Sequence, residues 1–164
     1  MKLSKRKAYT LIELTIGMAI GLIVLSAMAS IFSISLKTYS VNKLRDELNT
    51  DLNFALNYMA SEIESVDEIE KNGKTINFIR QFKNEEQTIN YSNKNLKLFR
   101  NSQRVRKDYD GKVGGRVENG HNVICDNVYE FKLDFDGSLV SISLGLKKSN
   151  INVKGSTYIY KGKK

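Results

Sequence analysis

The stretch that decides the fold is Lys5-Arg6-Lys7-Ala8-Tyr9-Thr10-Leu11-Ile12-Glu13-Leu14, which opens an apolar run that reaches Leu36. No residue from Leu14 to Leu36 is charged. As an α-helix this run would be about 35 Å long, at 1.5 Å per residue. The hydrocarbon core of a bilayer is about 30 Å thick, so the run is long enough to cross a membrane.

The charges beside this run predict its orientation. Lys2, Lys5, Arg6 and Lys7 precede it, with no acidic residue among them. Positively charged flanks stay in the cytoplasm, so the sequence predicts a single-pass cytoplasmic membrane protein with a cytoplasmic N-terminus and an extracytoplasmic C-terminal part. Glu13 lies at the mouth of the apolar run, where a lone carboxylate is costly. We therefore expect Glu13 to have a partner.

This arrangement of a basic leader, a small residue, an aromatic residue, Thr-Leu-Ile-Glu and an apolar run resembles the type IV prepilins. The resemblance implies that a prepilin peptidase cuts between Ala8 and Tyr9 and that Tyr9 is then N-methylated. It also implies that Glu13 meets the terminal ammonium of a neighbouring subunit, so that both buried charges are compensated during assembly. The family usually has Gly before the cut and Phe after it, where this chain has Ala8 and Tyr9.

The N-terminus has two other interpretations. A secretory signal peptide also joins basic residues to an apolar core, and Ala27-Met28-Ala29 would offer a cleavage site before Ser30. However, the acid at Glu13 opens the apolar core, and the core continues past that cleavage site. A plain uncleaved anchor is the second interpretation, and it leaves Glu13 unexplained.

Composition limits the remaining possibilities. A chain of 164 residues suits one domain plus a long helix. The net charge is +8, but four positive charges lie in the leader, so a chain beginning at Tyr9 is only mildly basic. Such a charge is not in itself a nucleic-acid signature. Cys125 is the only cysteine in the sequence, which excludes an internal disulfide.

The periodicity predicts one helix from about Thr10 to Lys71. Gly17 and Gly21 form a G-x-x-x-G pair that lets helices approach closely in lipid, although ordinary membrane-helix composition explains it equally well. After Leu36 an apolar stripe recurs every three or four residues, and Asn72-Gly73 predicts a C-terminal stop. The stripe consists of Leu44, Leu48, Leu52, Ala55, Met59, Ile63 and Val66.

Short alternating segments after Gly73 predict strands. The clearest are Tyr129–Phe135 and Val140–Leu146, joined by Asp136-Gly137, a strong hairpin signal. In that hairpin we expect Phe131 and Ile142 to point into the core, and Lys132 and Ser141 to point out. Further strands are predicted at Thr75–Arg80, Gln87–Tyr91, Leu96–Arg100 and Ser156–Tyr160.

These elements predict an α+β, type IV pilin-like fold, in which one long N-terminal helix packs on an antiparallel β-sheet. The expected segments are a leader peptide at residues 1–8 and a membrane-spanning or filament-core helix at 9–36. The amphipathic second half of the helix is expected at 37–72 and the sheet domain at 73–164.

No catalytic constellation is apparent, so the sequence predicts a protein that is not an enzyme and that needs no cofactor. His121 is the only histidine and is expected in a loop, while Cys125 is expected to be a small buried apolar residue. Four aspartates lack the spacing of a calcium-binding loop, so no metal site is predicted; they are Asp108, Asp110, Asp134 and Asp136.

Two charge clusters need an interpretation. A basic segment, expected to be a loop, covers residues 97–116 and includes Lys97, Arg100, Arg104, Arg106, Lys107, Lys112 and Arg116. An acidic cluster ends the predicted helix and includes Glu62, Glu64, Asp67, Glu68 and Glu70. Both could be solvated surface. Alternatively, Arg100, Arg104, Arg106 and Lys107 make an electrostatic contact with a neighbouring subunit, or the basic loop captures DNA with Tyr109 stacking on a base.

The order of elements adds a weaker resemblance. Asp51–Leu56, Val123-Ile124 and Asn127–Phe131 are similar in pattern to the larger minor pilins and the J-type pseudopilins. The sequence thus favours a minor pilin or pseudopilin, whose partners would be prepilin peptidase, other pilin subunits, the membrane and an assembly platform protein. The alternatives are a DNA-binding receptor of a competence-type filament, using residues 97–116, and a tethered enzyme or sensor. Whether the filament serves a pilus, type II secretion or competence stays open.

Overall fold

A computed structural model of the protein describes residues 10–107 and 117–162, in two compact units with their boundary between Lys43 and Leu44. The helix α1 covers Leu11–Glu64, so its residues belong to both units. Within the described residues, eight strands follow it: β1 (Glu68–Asn72), β2 (Thr75–Phe82), β3 (Glu85–Lys94), β4 (Lys97–Arg106), β5 (Glu118–Asp126), β6 (Val128–Asp136), β7 (Leu139–Lys148) and β8 (Ile151–Tyr160).

In the N-terminal unit, α1 is apolar and uncovered. Its most apolar 18-residue window has a mean hydropathy of 2.2, and none of that window is buried. Large side chains such as Leu22 and Phe32 are about two-thirds exposed. By length and composition this helix could cross a membrane, as the sequence predicts.

In the C-terminal unit, the other half of α1 carries the predicted apolar stripe into the core. Leu48, Leu52, Ala55, Met59 and Ile63 are each no more than 4% exposed. Strands β1 to β5 form a five-stranded antiparallel sheet in sequence order, and β6 to β8 form a second sheet of three strands. Buried side chains from both sheets join the stripe in one core. The α+β architecture of a long N-terminal helix packed on an antiparallel sheet is thus confirmed.

The helix end was predicted wrongly. α1 stops at Glu64, and residues Glu68–Asn72 form strand β1, paired with β2. The Asn72-Gly73 signal marks the turn of this hairpin, where Gly73 has a φ of +62°. The chain leaves the helix because Val66, only 4% exposed, enters the core and the Asp67 amide donates to the Ile79 carbonyl. Pairing with β2 therefore overrides the helix propensity of the Glu and Lys residues in β1.

A residue far along the chain completes this helix end. The Lys161 Nζ, just after β8, donates to the carbonyl oxygens of Glu64 and Val66 at 2.7 and 2.6 Å. The last carbonyls of a helix have no partner within the helix, and a cation there also interacts favourably with the helix dipole. The end of the last strand thus caps the end of the first element.

The predicted hairpin is present, with one irregularity. Gly137 takes a φ of +63° in the turn, and Val140, Ile142, Leu144 and Leu146 are at most 1% exposed. On β6 the register shifts between Val128 and Glu130. Tyr129 consequently lies outside and is 41% exposed, whereas a regular alternation with Phe131 would place it inside.

The shifted Tyr129 covers a glycine on the outer face of the small sheet. A Cβ added to Gly145 would lie 2.7 Å from Tyr129 Cε1. The missing side chain at position 145 therefore makes room for the ring. Phe131 packs against the core but is only half-buried, Lys132 is exposed, and Ser141 is half-buried.

The other predicted strands are present and extend further along the chain, although β4 begins at Lys97 and leaves the predicted Leu96 in the turn before it. Sequence reasoning missed β1 and β5 altogether. His121, expected in a loop, lies in β5, where it pairs with Asn101 of β4. The signal in β5 is weak because its residues Asn119, Gly120 and Asn122 are poor strand formers.

Substitutions in the β6–β7 hairpin should distinguish the fully buried side chain of Ile142 from the half-buried side chain of Phe131. In the fragment from Lys37 onward, we expect Ile142→Ala to lower the free energy of unfolding by about 2–5 kcal/mol, because it leaves a cavity in a closed core. Phe131→Ala should fall below the range of about 3–5 kcal/mol typical of a fully buried Phe. Urea unfolding measures both.

The matched control is Lys147→Ala, at an exposed position of the same strand as Ile142. It should change the free energy of unfolding by no more than about 0.5 kcal/mol. A loss of about 3 kcal/mol or more for Phe131→Ala, or of less than about 2 kcal/mol for Ile142→Ala, would contradict the described packing of the hairpin.

Candidate functional site

The N-terminus of α1 is closed by a reciprocal pair of side chains. The Thr10 amide donates to Glu13 Oε2 at 2.9 Å, and the Glu13 amide donates to Thr10 Oγ1 at 3.3 Å. The Thr10 hydroxyl also donates to Glu13 Oε2 at 3.2 Å. This is a capping box, in which two backbone N–H groups that a helix start leaves unpaired are satisfied at once.

Glu13 therefore has a partner within its own chain. Sequence reasoning expected a partner from a neighbouring subunit and missed this one, although T-x-x-E before an apolar run is a known helix-start signature. A carboxylate at this position is also favoured by the positive end of the helix dipole. The capping hydrogen bonds and the helix dipole thus explain why a carboxylate is present at this end of the apolar run, although a carboxylate is costly there.

A shallow depression lies beside this cap, lined by Glu13, Leu14, Gly17 and Met18. A Cβ added at Gly17 or Gly21 would meet no atom within 4 Å. Both glycines therefore leave open space on the helix surface, and their role in helix packing stays a prediction. The predicted cleavage site, Ala8 and Tyr9, and the rest of the leader lie outside the described residues.

A second polar cluster lies in the C-terminal unit, at the edge of the core. Arg100 on β4 contacts Glu62 on α1 through two nitrogens, with Nη2 to Oε1 at 2.6 Å and Nε to Oε2 at 2.8 Å. The Tyr91 hydroxyl donates to Glu62 Oε2 at 2.6 Å. The side chains of Glu62 and Arg100 are each 11% exposed. This is a largely buried, bidentate ion pair with an added hydrogen bond.

The pKa values follow from this geometry. Burial would raise the pKa of Glu62, but the hydrogen bonds from Arg100 and Tyr91 and the charge of Arg100 outweigh it, so the pKa is lowered. The pKa of Tyr91 is raised, by burial first and by Glu62 second. The pKa of Arg100 is raised, mainly by its hydrogen bond to Glu62. All three groups keep their charge states at neutral pH.

The acidic and basic clusters thus meet inside one chain at Glu62 and Arg100. They were predicted to meet, if at all, across subunits. Arg100 lies on the inner side of β4 and faces α1, so the ion pair is sequestered by the packing of the sheet on the helix. An intersubunit role for Arg104, Arg106 and Lys107 stays a prediction.

The predicted basic loop is largely a strand. Residues 97–106 form β4, whereas 108–116, with Tyr109, Lys112 and Arg116, lie outside the described residues. The basic residues from 97 to 107 all pair with acids: Lys97 with Asp126, Arg100 with Glu62, Arg104 and Arg106 with Glu85, and Lys107 with Glu86. Such pairing lowers the positive potential that this segment offers to phosphate groups.

The structure also describes the surroundings of Cys125 and Asp134, two further residues considered in the sequence analysis. Cys125 is buried, as predicted, and burial raises the pKa of its thiol to about 12, which makes it a poor nucleophile. Asp134 pairs with Lys71 at 2.6 Å. Within residues 10–107 and 117–162, no group of three or more His, Cys, Asp and Glu side chains is arranged to hold a metal ion; Asp108 and Asp110 lie outside those ranges.

Comparison with known protein families finds a match for the N-terminal segment. Residues 3–29 match the family model described as the prokaryotic N-terminal methylation motif. No curated protein and no solved structure matches the chain. The matched segment covers the basic leader, the capping box and the first part of the apolar helix, and it supports a type IV prepilin-like protein.

The Glu62 cluster should make folding sensitive to acid. The pKa of Glu62 is lowered in the folded state, so its contribution to stability is full above the unfolded-state pKa of about 4.3 and is lost as pH falls through the folded value. Glu62→Gln should lower stability at neutral pH, because Arg100 loses its counter-charge. It should also show a smaller further loss between pH 7 and pH 3 than the unsubstituted fragment from Lys37 onward.

Urea unfolding at the two pH values measures this difference. Glu70→Gln is a suitable control, because Glu70 is an exposed acid of β1. It should leave both the stability and its pH dependence almost unchanged. Equal acid sensitivity of the Glu62→Gln fragment and the unsubstituted fragment would contradict the assignment.

Proposed function

We propose that this protein is a minor pilin or pseudopilin, a structural subunit that is processed by prepilin peptidase and then inserts into or initiates a type IV pilus-like filament. The observation that carries the proposal is the methylation-motif match at residues 3–29, which coincides with an uncovered apolar helix starting at Leu11. In the proposed topology the leader is cytoplasmic, the first half of α1 spans the membrane, and the C-terminal unit is extracytoplasmic.

In this proposal the first step is cleavage between Ala8 and Tyr9, followed by N-methylation of Tyr9. The mature subunit then stays in the membrane, held by the apolar part of α1. An assembly platform protein and other pilin subunits take it into the filament, where Gly17 and Gly21 allow close helix packing.

Glu13 would have two successive roles. In the single subunit the capping box with Thr10 keeps its carboxylate hydrogen-bonded at the helix start. In the filament the same carboxylate would neutralise the terminal ammonium of a neighbour, so that neither charge remains unpaired in a dry environment. The cap therefore gives the carboxylate a partner until a neighbour arrives.

Processing can be tested directly. Mass spectrometry of the protein extracted from membranes should show a chain that begins with N-methyl-tyrosine at position 9. Ala8→Gly should leave cleavage intact or improve it, because the family usually has Gly there. A mature chain beginning at Ser30 would establish a secretory signal instead, and an unprocessed chain would indicate a plain anchor.

Assembly can be tested with three variants that separate charge from capping. Glu13→Val removes both the charge and the capping carboxylate. Glu13→Gln removes the charge but keeps a side chain that can cap the helix. Thr10→Ala keeps the charge but removes the capping hydroxyl. If charge neutralisation drives assembly, both Glu13 variants should reach the membrane and be cut, yet be missing from filaments. Thr10→Ala should still assemble.

The measurement compares the sheared-filament fraction with the membrane fraction in cells that express the partner pilins. Assembly of Glu13→Gln together with failure of Thr10→Ala would mean that capping, and not charge, is what assembly needs. Normal incorporation of Glu13→Val would remove Glu13 from assembly altogether and limit the proposal to processing.

A further inference from the structure

The outer face of the five-stranded sheet carries a patch that the proposed function does not use. We call it the amide patch; it consists of Asn90, Phe99, Asn101, Gln103, Asn119 and His121, on the adjacent strands β3, β4 and β5. A shallow depression is lined by most of these residues. None of the six is charged, in a chain where 27% of residues are charged.

The strand register brings these side chains together. Asn101 lies opposite Asn90 on one side and opposite His121 on the other, and Gln103 lies opposite Asn119. Neighbouring strands are about 4.8 Å apart and alternate residues on one strand about 6.8 Å, so the patch measures about 10 Å by 14 Å. That is the scale of a short oligosaccharide.

Hydrogen bonds within the patch hold its centre in place. The Asn101 Nδ2 donates to Asn90 Oδ1 at 3.0 Å and to Ser92 Oγ at 3.1 Å. The Asn101 Oδ1 contacts His121 Nδ1, and since an amide oxygen only accepts, the imidazole must donate from that nitrogen. In the neutral ring, Nε2 is then left as an acceptor on the exposed side.

An aromatic surface lies beside these amides. The rings of Phe99 and His121 stack with their centroids 4.5 Å apart and an interplanar angle of 15°. The two rings lie next to groups that both donate and accept hydrogen bonds. Amides and an imidazole match the hydroxyl and acetamido groups of sugars, which also donate and accept hydrogen bonds. The stacked rings cover one face of each other, so they add apolar contact area at the side of the patch.

The charges around the patch argue against an ionic ligand. The flanking charged side chains are paired or lie beyond the patch, as in Lys97 with Asp126 and Lys107 with Glu86. A nucleic acid would need Lys and Arg aimed at phosphates, and the patch offers none. Asn is also disfavoured in strands, so three Asn residues on adjacent strands are a poor choice for a face that is only solvated.

We propose that the amide patch binds a neutral oligosaccharide that carries N-acetyl groups. An acetamido group offers one N–H and one C=O, which a side-chain amide such as that of Gln103 can meet with its own acceptor and donor. The inference does not depend on processing or on filament assembly.

The test uses the full chain purified in detergent and soluble oligomers of N-acetylglucosamine, with binding followed by ligand-detected NMR and calorimetry. We expect binding to the unsubstituted protein and weakening by about tenfold or more in Asn101→Ala, because that change removes a central amide and releases its neighbours. Gln103→Ala, at an exposed position, should also weaken binding without affecting the fold.

Asn152→Ala is the matched control, since it removes an exposed Asn from β8, a strand of the other sheet. It should bind as the unsubstituted protein does. Urea unfolding verifies that each variant is folded; if Asn101→Ala is not, Gln103→Ala and Asn119→Ala decide. The proposal is overturned if the oligomers do not bind, if patch variants and the control bind equally, or if only the polyanion heparin binds.

Discussion

The C-terminal unit depends on covering one apolar stripe of α1. Leu48, Leu52, Met59 and Ile63 are almost inaccessible, and each such side chain contributes about 1.5–3 kcal/mol when it is removed from water. Neither sheet covers the stripe alone, because buried residues of both belong to the same core. The packing of β4 on α1 is otherwise apolar and would tolerate small shifts. The Glu62–Arg100 ion pair at the edge of this core makes it specific, because it fixes which residue of β4 faces which turn of the helix.

The parts of this fold that were predicted correctly are those with a strong local period. The stripe on α1 and the Val140–Leu146 strand both have one face that must be buried, so a wrong register would expose the whole apolar set. The end of α1 was predicted wrongly because Glu68–Asn72 has no such period, and its pairing with β2 is a tertiary choice. The outward position of Tyr129 depends on a bulge, which alternation alone does not predict.

The candidate site shows the same division. The match to the methylation motif at residues 3–29 supports the prepilin-like N-terminus that the spacing of charge, small residue, aromatic residue and acid predicts. Cleavage between Ala8 and Tyr9 stays a prediction. The capping partner of Glu13 was equally local and could have been predicted from Thr10-Leu11-Ile12-Glu13. The pairing of Glu62 with Arg100 could not be predicted from the sequence, because these residues are 38 positions apart and meet only when β4 packs on α1.

The cap that Lys161 provides has a consequence for the order of events in the cell. Its acceptor, the Glu64 carbonyl, lies 97 positions earlier in the chain. A chain made from its N-terminus forms α1 first, but the helix end and the core beside it remain open until the last strand has been synthesised. Contacts of such long sequence separation form late and slowly. During that interval the apolar stripe of α1 is exposed, so the protein is most vulnerable to aggregation and proteolysis before β8 and Lys161 have been synthesised.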